Sequence, residues 1–469
     1  MGESRTGRSS RKGLLWTLIP LVVIVIVAVI VVVVATHVDD DSTATPAGIP
    51  PRPALIQPVA TIAPVNASDP EPTPEGVAAT LTPLVGVPAV GNLTGEVIDA
   101  ISGTSLWSRN PTTPMTPASA TKILTAAAAL LSLPLDGRIT TNAVMGPGGQ
   151  VILVGAGDPT LTEQPVGQPT LFTTPPRISD LAAQIRRSGV AVTSVGVDTS
   201  AFSGPSMAST WETSDIAAGN IAPIQSLMAD SGRKDPLGLY SPRTATPAVD
   251  AGSALARALG LSGDAVREVT APAGAKVLAS VTSAPLSTRL ADMVTQSDDV
   301  LAETIGIEVS RATGGQASLV GAVSAVRKVL ADNGFDLTGV TLDDVNGLSV
   351  GNRIPASLLA SIIESAAGGN AVAATKPAAQ AKLRPLLDTF PVGGANGTLS
   401  DRFVGEQSGA GWVRAKTGTL TGVSTLSGIV QTTDNRVLVF ALMSSGTNPA
   451  DARPALDDIA SALHGCGCR

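Results

Sequence analysis

Apolar and polar residues alternate near both ends of the globular part of this chain, which is the pattern of half-buried β-strands. Gly95 to Asp99 and Gly103 to Trp107 are two such segments around a turn, and they predict a strand pair. Near the C-terminus the pattern predicts an antiparallel meander of three strands and a closing helix, over 412–417, 425–431, 437–443 and 452–463.

Between these strands the apolar residues recur every three or four positions, which is typical of amphipathic helices. Helices are predicted over 177–188, 253–261, 287–311, 319–333 and 354–367, and further strands over 150–154 and 190–197. The long helix is interrupted at Gln296 to Asp299. Helices placed between two groups of strands predict an α/β sandwich in which the first and last strands share one sheet.

An apolar run near the N-terminus predicts a membrane segment. Leu14 to Ala35 is 22 residues long and carries no charge, which is enough to cross a hydrocarbon layer of roughly 30 Å. Residues 1–13 are basic and Asp39 to Asp41 follow, so we expect a cytoplasmic tail and an extracytoplasmic globular part. The prediction is a single-pass anchor in the cell membrane over 14–35; the alternative is cleavage after Ala35, and both imply export.

Residues 36–83 are rich in proline, alanine and threonine, and this composition predicts an extended linker between the membrane and a globular part that begins near Leu84.

Composition excludes some classes of function. The net charge of -7 and the aromatic content of 2% argue against a nucleic-acid partner and against aromatic stacking platforms. The only histidines are His37 and His464, and neither is well placed for a central site. A Ser-His-Asp triad is therefore a poor hypothesis, and a serine enzyme built on this chain needs a lysine as its base.

Such a pair lies at the predicted start of a helix after Pro117, where Ser119 and Lys122 form an S-x-x-K sequence. Residues three apart share one face of a helix, so the amine can reach the hydroxyl. A serine is a weak nucleophile until a neighbouring base takes its proton, and burial favours the neutral amine that can do so. Taken alone, the pattern fits a capping serine and a surface lysine on an ordinary helix better than it fits a catalytic pair.

Two further motifs follow in order. Ser297-Asp298-Asp299 lies at the interruption of the long helix, and Lys416-Thr417-Gly418 ends the first strand of the meander. S-x-x-K, S-D-N and K-T-G together are the signature set of class A β-lactamases and penicillin-binding proteins. Each motif also has a simpler interpretation, with Ser297 as a helix cap and Lys416 as a solvated strand end.

Acyl transfer assigns a role to each position of the motifs. Ser119 is the predicted nucleophile, Lys122 the base, and Ser297 the relay of a proton to the leaving amine. Three neighbouring positions are assigned to substrate: Lys416 and Thr417 to its carboxylate, and Gly418 to close approach of its backbone. Backbone N–H groups of Ser119 and Thr419 are predicted to form the oxyanion hole.

Beyond these motifs the chain resembles the class C low-molecular-mass penicillin-binding proteins, which are D-Ala-D-Ala carboxypeptidases and D,D-endopeptidases. The resemblance extends from about Gly91 to Leu463 and is carried by residues 117–122, 155–161, 347–349 with 352–353, and 386–392 leading to 397–399. It implies a transpeptidase-like α/β sandwich with an antiparallel sheet and a helical region, formed by residues 84–145 and 283–463. The 174 residues between Lys122 and Ser297 leave room for one inserted domain, placed at 146–282.

The resemblance also implies a function. We expect a serine D,D-peptidase that acts on peptidoglycan stem peptides through an acyl-enzyme on Ser119 and is acylated by β-lactams, with no metal or cofactor. Carboxypeptidase and endopeptidase activity are both compatible with this expectation.

The chain departs from the family pattern at Asp299, where the family has asparagine, and ahead of Gly347. An ionised carboxylate cannot donate a hydrogen bond to a substrate carbonyl, and next to Lys122 or Lys416 it favours the charged lysine. A binding-only relative is therefore an alternative. A β-lactamase is a second one, although no loop offers a convincing deacylating glutamate.

The tail 464–469 contains Cys466 and Cys468 and is interpreted as non-catalytic. Its cysteines can form a strained bridge across one residue, or remain as exposed or intermolecular thiols.

Overall fold

The computed structural model describes residues 68–368, 377–405 and 407–468. The strands are β1 (Asn92–Asp99), β2 (Ser105–Arg109), β3 (Pro114–Met115), β4 (Thr140–Met145), β5 (Gln150–Val154), β6 (Ser194–Asp198), β7 (Arg267–Glu268), β8 (Val277–Thr282), β9 (Ile354–Pro355), β10 (Val413–Leu420), β11 (Val423–Gln431) and β12 (Val437–Ser445). The helices are α1 (Pro74–Val85), α2 (Thr121–Ser132), α3 (Ile178–Arg187), α4 (Ser214–Ala218), α5 (Pro247–Ala258), α6 (Leu286–Gln296), α7 (Asp299–Ala312), α8 (Leu319–Asp332), α9 (Ala356–Ala367), α10 (Pro377–Leu383) and α11 (Pro449–His464).

The first sheet joins the two ends of the globular part. Its strand order is β10-β11-β12-β1-β2, and every neighbouring pair is antiparallel. Val97 of β1 lies opposite Phe440 of β12. The predicted sandwich, with the first and last strands in one sheet, is therefore confirmed.

Alternation along β12 divides the molecule into layers. Val439, Ala441 and Met443 pack into the core formed with the central helices, whereas Phe440 and Leu442 pack into a separate core with α1 and α11. Side chains of a strand point to opposite faces in turn, so one buried strand supports both cores. Helices therefore cover both faces of the sheet.

Helix α2 lies inside the larger core. Each residue from Thr121 to Leu131 is buried, and α2 contacts α7, α8 and α9. Its run of four alanines has no bulk to hold neighbouring helices apart, so they can pack against several sides of it. This leaves Lys122, in the first turn, without exposed surface.

A second sheet has the order β7-β6-β5-β4-β8, with β5, β6 and β7 parallel and the other pairs antiparallel. Helices α3 and α5 pack against it. The sheet includes β4, which the sequence assigned to the catalytic part by placing the insertion at 146–282. Thr140 pairs with Thr282, so the first and last strands of this segment are neighbours, and the second sheet starts at Thr140.

The predicted linker over 36–83 extends too far. Pro74–Val85 is a helix, in which Val77 and Leu81 are fully buried against the sandwich. The Thr73 hydroxyl caps it by accepting the N–H of Gly76 at 3.1 Å, and a proline is well tolerated in the first turn of a helix. Proline-rich composition concealed a short helix whose stability comes from packing.

The C-terminal tail holds this helix in place. The N–H of Thr73 donates to the carbonyl of Cys468 at 2.7 Å. A disulfide joins Cys466 to Cys468, and both side chains are buried, so the tail does not present exposed thiols.

No helix within the described ranges is long and apolar enough to cross a membrane. The predicted anchor at 14–35 lies outside these ranges.

Docking of α1 is testable through Leu81. We expect Leu81→Ala to lower the free energy of unfolding by about 2–5 kcal/mol, because it leaves a cavity in a packed core. Denaturant unfolding measures this. The matched change Thr82→Ala on the exposed face of the same helix should stay within about 0.5 kcal/mol of the parent chain. Equal, small effects of both changes would mean that α1 is not part of the folded core.

Candidate active site

Ser119 lies on a tight turn directly before α2. The turn spans Ala118–Ala120, and Ala118 adopts a left-handed conformation with φ of 48°. Strand β10 packs closely on this turn, since a Cβ atom at Gly418 would lie 2.7 Å from the carbonyl oxygen of Pro117. The sequence assigned Gly418 to contact with substrate backbone, but its contacts show that it makes room for the turn that carries Ser119.

Lys122 lies behind Ser119 and has no exposed surface. Its Nζ donates to Ser119 Oγ at 3.0 Å, to the carbonyl oxygen of Asn346 at 2.7 Å and to Asp299 Oδ1 at 2.5 Å. An ammonium has three donors, so these contacts use all of them. The predicted nucleophile and base are therefore in direct contact.

Asp299 is the first residue of α7, and its carboxylate forms an ion pair with Lys122. Burial raises the pKa of Asp299 above its usual value, although the adjacent ammonium opposes this shift. Of the two lysines that the sequence offered as partners, Lys122 is the one in contact.

A second serine–lysine pair faces the first. Ser297 connects α6 to α7 in a left-handed conformation with φ of 60°, and Lys416 Nζ donates to its Oγ at 2.9 Å. Lys416 has no exposed surface and also donates to the carbonyl oxygen of Thr417 at 2.7 Å. Burial, together with the charge of Lys122, lowers the pKa of Lys416 well below its usual value, and Asp299 only partly opposes this.

These contacts change one predicted role. The ammonium of Lys416 was expected to present a cation to the substrate carboxylate, but it is buried and hydrogen-bonded to Ser297. Lys416 therefore acts on Ser297 through a hydrogen bond and presents no positive charge to the surface of the cleft.

Strand β10 forms the open edge of the first sheet. The N–H of Ala415 points away from β11, because it donates to the carbonyl of Pro391 at 3.1 Å. In an antiparallel strand alternate N–H groups face the same side, so those of Thr417 and Thr419 also face outward. This is the orientation that the predicted oxyanion hole requires of Thr419.

A cleft of about 820 Å³ runs along this edge. It is lined by Ser119, Ser297, Asp299, Thr417 and Thr419, with both lysines behind its wall. The structure thus brings all three sequence motifs to one site. Within the described ranges, no group of three or more His, Cys, Asp or Glu residues is arranged to hold a metal.

Sequence reasoning missed the side chains that hold Ser297 and Asp299 in place. Between them, Asp298 is fully buried and pairs with Arg233 at 2.6 Å and with Arg243 at 3.5 Å. Burial alone would raise the pKa of Asp298, but the two arginines hold it at about 2. Both arginines belong to the segment predicted as an insertion, more than fifty positions away, and no local pattern links them to the motif.

The loop that departs from the family pattern also contributes. Asp344 accepts the N–H groups of Gly347 and Ser349 at 2.8 Å and 2.7 Å, which fixes the turn that presents the Asn346 carbonyl to Lys122. Glu303 lies beneath it, fully buried, and accepts from Asn346 Nδ2 at 2.8 Å. Burial, reinforced by the charge of Asp344, raises the pKa of Glu303 well above its usual value.

Removing the charge of Asp298 should be costly. We expect Asp298→Asn to lower the free energy of unfolding by about 3–5 kcal/mol, because two buried arginines lose their carboxylate. The folded pKa of about 2 lies below the ordinary 3.8, so this stabilisation is present above pH 3.8 and is lost as the pH falls toward 2. Urea unfolding across that range should show this loss in the parent chain and a weaker one in the variant.

The control is Asp332→Asn, which breaks the exposed pair between Asp332 and Lys328. An exposed pair contributes about 1 kcal/mol at most. If both variants unfolded alike, the buried cluster would not stabilise the loop between α6 and α7.

Comparison with known proteins agrees with this geometry. Residues 77–237 and 235–464 match the family model described as "D-Ala-D-Ala carboxypeptidase 3 (S13) family". "Carboxypeptidase Rv3627c" of Mycobacterium tuberculosis is 47% identical over 425 residues, which is 89% of this chain and 90% of the relative. "Carboxypeptidase DacB" of Mycolicibacterium smegmatis is 44% identical over 438 residues, or 92% of each chain.

Among solved structures, the fold is similar to penicillin binding protein 4 (dacB) from Haemophilus influenzae, with a TM-score of 0.64 and 22% identity. That match covers 82% of this chain and 98% of the other. The family model, the relatives and the shared fold give one conclusion: this chain belongs to the D-Ala-D-Ala carboxypeptidase 3 (S13) family.

Proposed function

We propose that this protein is a serine D-Ala-D-Ala carboxypeptidase that removes the terminal D-alanine from peptidoglycan stem peptides. The observation that carries this function is the contact of 3.0 Å between Lys122 Nζ and Ser119 Oγ, at the wall of a cleft that also holds Ser297 and Thr419. Relatives with 44% and 47% identity over most of the chain are named carboxypeptidases.

Acylation begins at Ser119. Neutral Lys122 accepts the hydroxyl proton while Oγ bonds to the carbonyl carbon of the penultimate D-alanine. Negative charge develops on the carbonyl oxygen, where the N–H groups of Ser119 and Thr419 stabilise it. The outward direction of the Thr419 N–H supports this assignment.

The tetrahedral intermediate then loses its amine. The C–N bond breaks, Ser297 gives its hydroxyl proton to the leaving nitrogen, and D-alanine departs. The proton that Lys122 took from Ser119 restores the hydroxyl of Ser297, so the proton balance closes, while Lys416 Nζ holds Ser297 Oγ at 2.9 Å. Water subsequently hydrolyses the ester on Ser119, with Lys122 as its base.

A β-lactam offers the same chemistry, because its ring amide presents a carbonyl to Ser119 and its amine remains attached after opening. The Haemophilus influenzae protein has a solved structure "complexed with novel beta-lactam". We include acylation of Ser119 by β-lactams in the proposed function.

We expect the ion pair between Lys122 and Asp299 to make acylation of Ser119 slower than it would be with asparagine at position 299. The carboxylate lies 2.5 Å from Lys122 Nζ, and unlike the amide of asparagine it cannot donate a hydrogen bond to a substrate carbonyl. This contact is the specific observation behind the alternative of a weakened, mainly binding relative.

The cellular setting belongs to the proposal as well. The uncharged run from Leu14 to Ala35 anchors the chain in the cell membrane, with the catalytic part on the extracytoplasmic side where peptidoglycan lies.

Ser119→Ala tests the nucleophile. We expect it to abolish release of D-alanine from a peptide ending in D-Ala-D-Ala and to remove the covalent adduct with benzylpenicillin, because no alkoxide can form. Mass spectrometry of intact protein and of its peptides locates the adduct. Persistent hydrolysis in the variant, with its fold verified by circular dichroism, would refute the mechanism.

Asp299→Asn tests the charge on the base. We expect the variant to be acylated about tenfold faster than the parent chain, because the ion pair with Lys122 is removed and an amide can donate a hydrogen bond to a substrate carbonyl. Stopped-flow acylation by a chromogenic β-lactam measures the rate. Asp401→Asn, an exposed acid on the same cleft, is the matched control and should leave the rate unchanged.

A further inference from the structure

The proposed reaction places strict limits on where the end of the substrate lies. The carbonyl under attack lies between Ser119 Oγ and the Thr419 N–H, and the terminal D-alanine extends at most about 3.6 Å further, the length of one residue. Its carboxylate carries a full negative charge at neutral pH. A cation within one residue's length of Thr419 would meet the need for a charge-assisted contact with it.

Lys416 does not meet this need. It has no exposed surface, and its Nζ is directed to Ser297 Oγ and to the carbonyl of Thr417. Lys122 is equally buried and engaged with Asp299. Neither lysine presents a charge to the cleft.

Four arginines line the cleft, and three of them are already neutralised. Arg233 and Arg243 pair with Asp298, and Arg402 pairs with Asp457. The fourth, Arg453, is exposed and has no ion pair among the residues that the structure describes. Its Nε donates to the hydroxyl of Thr419 at 3.3 Å, which places a positive charge beside the predicted oxyanion hole.

Three hydrogen bonds from Arg402 fix the helix that carries Arg453. Arg402 donates two to the carboxylate of Asp457, at 2.6 Å and 2.9 Å, and one to the backbone carbonyl of Arg453 at 3.1 Å. Arg453 lies in the second turn of α11, whose N-terminal turn reaches the cleft at Ala450. The positive end of the helix dipole therefore adds to the charge of the guanidinium.

On the basis of the proposed function, we infer that Arg453 binds the free α-carboxylate of the terminal residue, together with the hydroxyls of Thr417 and Thr419. A guanidinium has five N–H donors, so one can stay on Thr419 while others form a paired contact with a carboxylate.

The test compares two substrates in the full-length chain: diacetyl-L-Lys-D-Ala-D-Ala and the same peptide with a C-terminal amide. Arg453→Gln should lower kcat/KM for the carboxylate peptide by about tenfold or more, the effect of one charge-assisted contact, and change the value for the amide less than about twofold. Arg453→Lys should retain part of the activity. Added salt should weaken the parent chain's preference for the carboxylate and have little effect in Arg453→Gln.

Arg187→Gln, at an exposed position of α3 away from the cleft, controls for loss of net charge. An equal loss on both peptides would show that Arg453 only supports Thr419, and no loss on the carboxylate peptide would show that it does not bind the carboxylate. Either result overturns the inference.

A separate readout distinguishes this failure from failure of the proposed function. The same variants are acylated with benzylpenicillin and with its methyl ester, which lacks the charge. A parent chain that forms the adduct but releases no D-alanine would refute the carboxypeptidase. The selective loss with Arg453→Gln on the charged penicillin would still support the carboxylate site, and an equal rate for both penicillins would refute it.

Discussion

Two lysine side chains without exposed surface lie behind one cleft, and the rest of the site depends on accommodating their charges. Asp299 neutralises Lys122 through a direct contact, whereas Lys416 contacts only a hydroxyl and a carbonyl. Burial beside the charge of Lys122 is unfavourable for a second ammonium, so the pKa of Lys416 lies well below its usual value.

The loop that carries Ser297 and Asp299 is fixed from outside the sandwich. Asp298, between these two residues, is buried and forms ion pairs with Arg233 and Arg243 from the segment around the second sheet. Arg233 and Arg243 therefore fix the position of a loop that lines the cleft, and replacing either arginine removes a partner of a buried carboxylate.

Sequence patterns predicted what is local. Ser119 and Lys122 are three residues apart, and the strands of the meander alternate visibly, so the motifs and the sandwich could be predicted. Long-range pairing could not: nothing near Thr140 indicates that it pairs with Thr282, and a proline-rich stretch gave no sign of the helix that buries Leu81. The contact between Lys416 and Ser297 could not be predicted for the same reason. A strand motif identifies a residue, but it does not identify the neighbour that the side chain contacts.

The contact between Thr73 and Cys468 has a mechanical consequence. It joins the start of the folded region to the end of α11, a helix of 16 residues that is about 24 Å long and carries Arg453 near its other end. Glu71, two residues before Thr73, pairs with Arg436 at 3.6 Å and accepts the Ser102 hydroxyl at 2.5 Å, so this segment is held both to the tail and to the first sheet. Neither end of the described globular part can therefore fray without breaking contacts of the other.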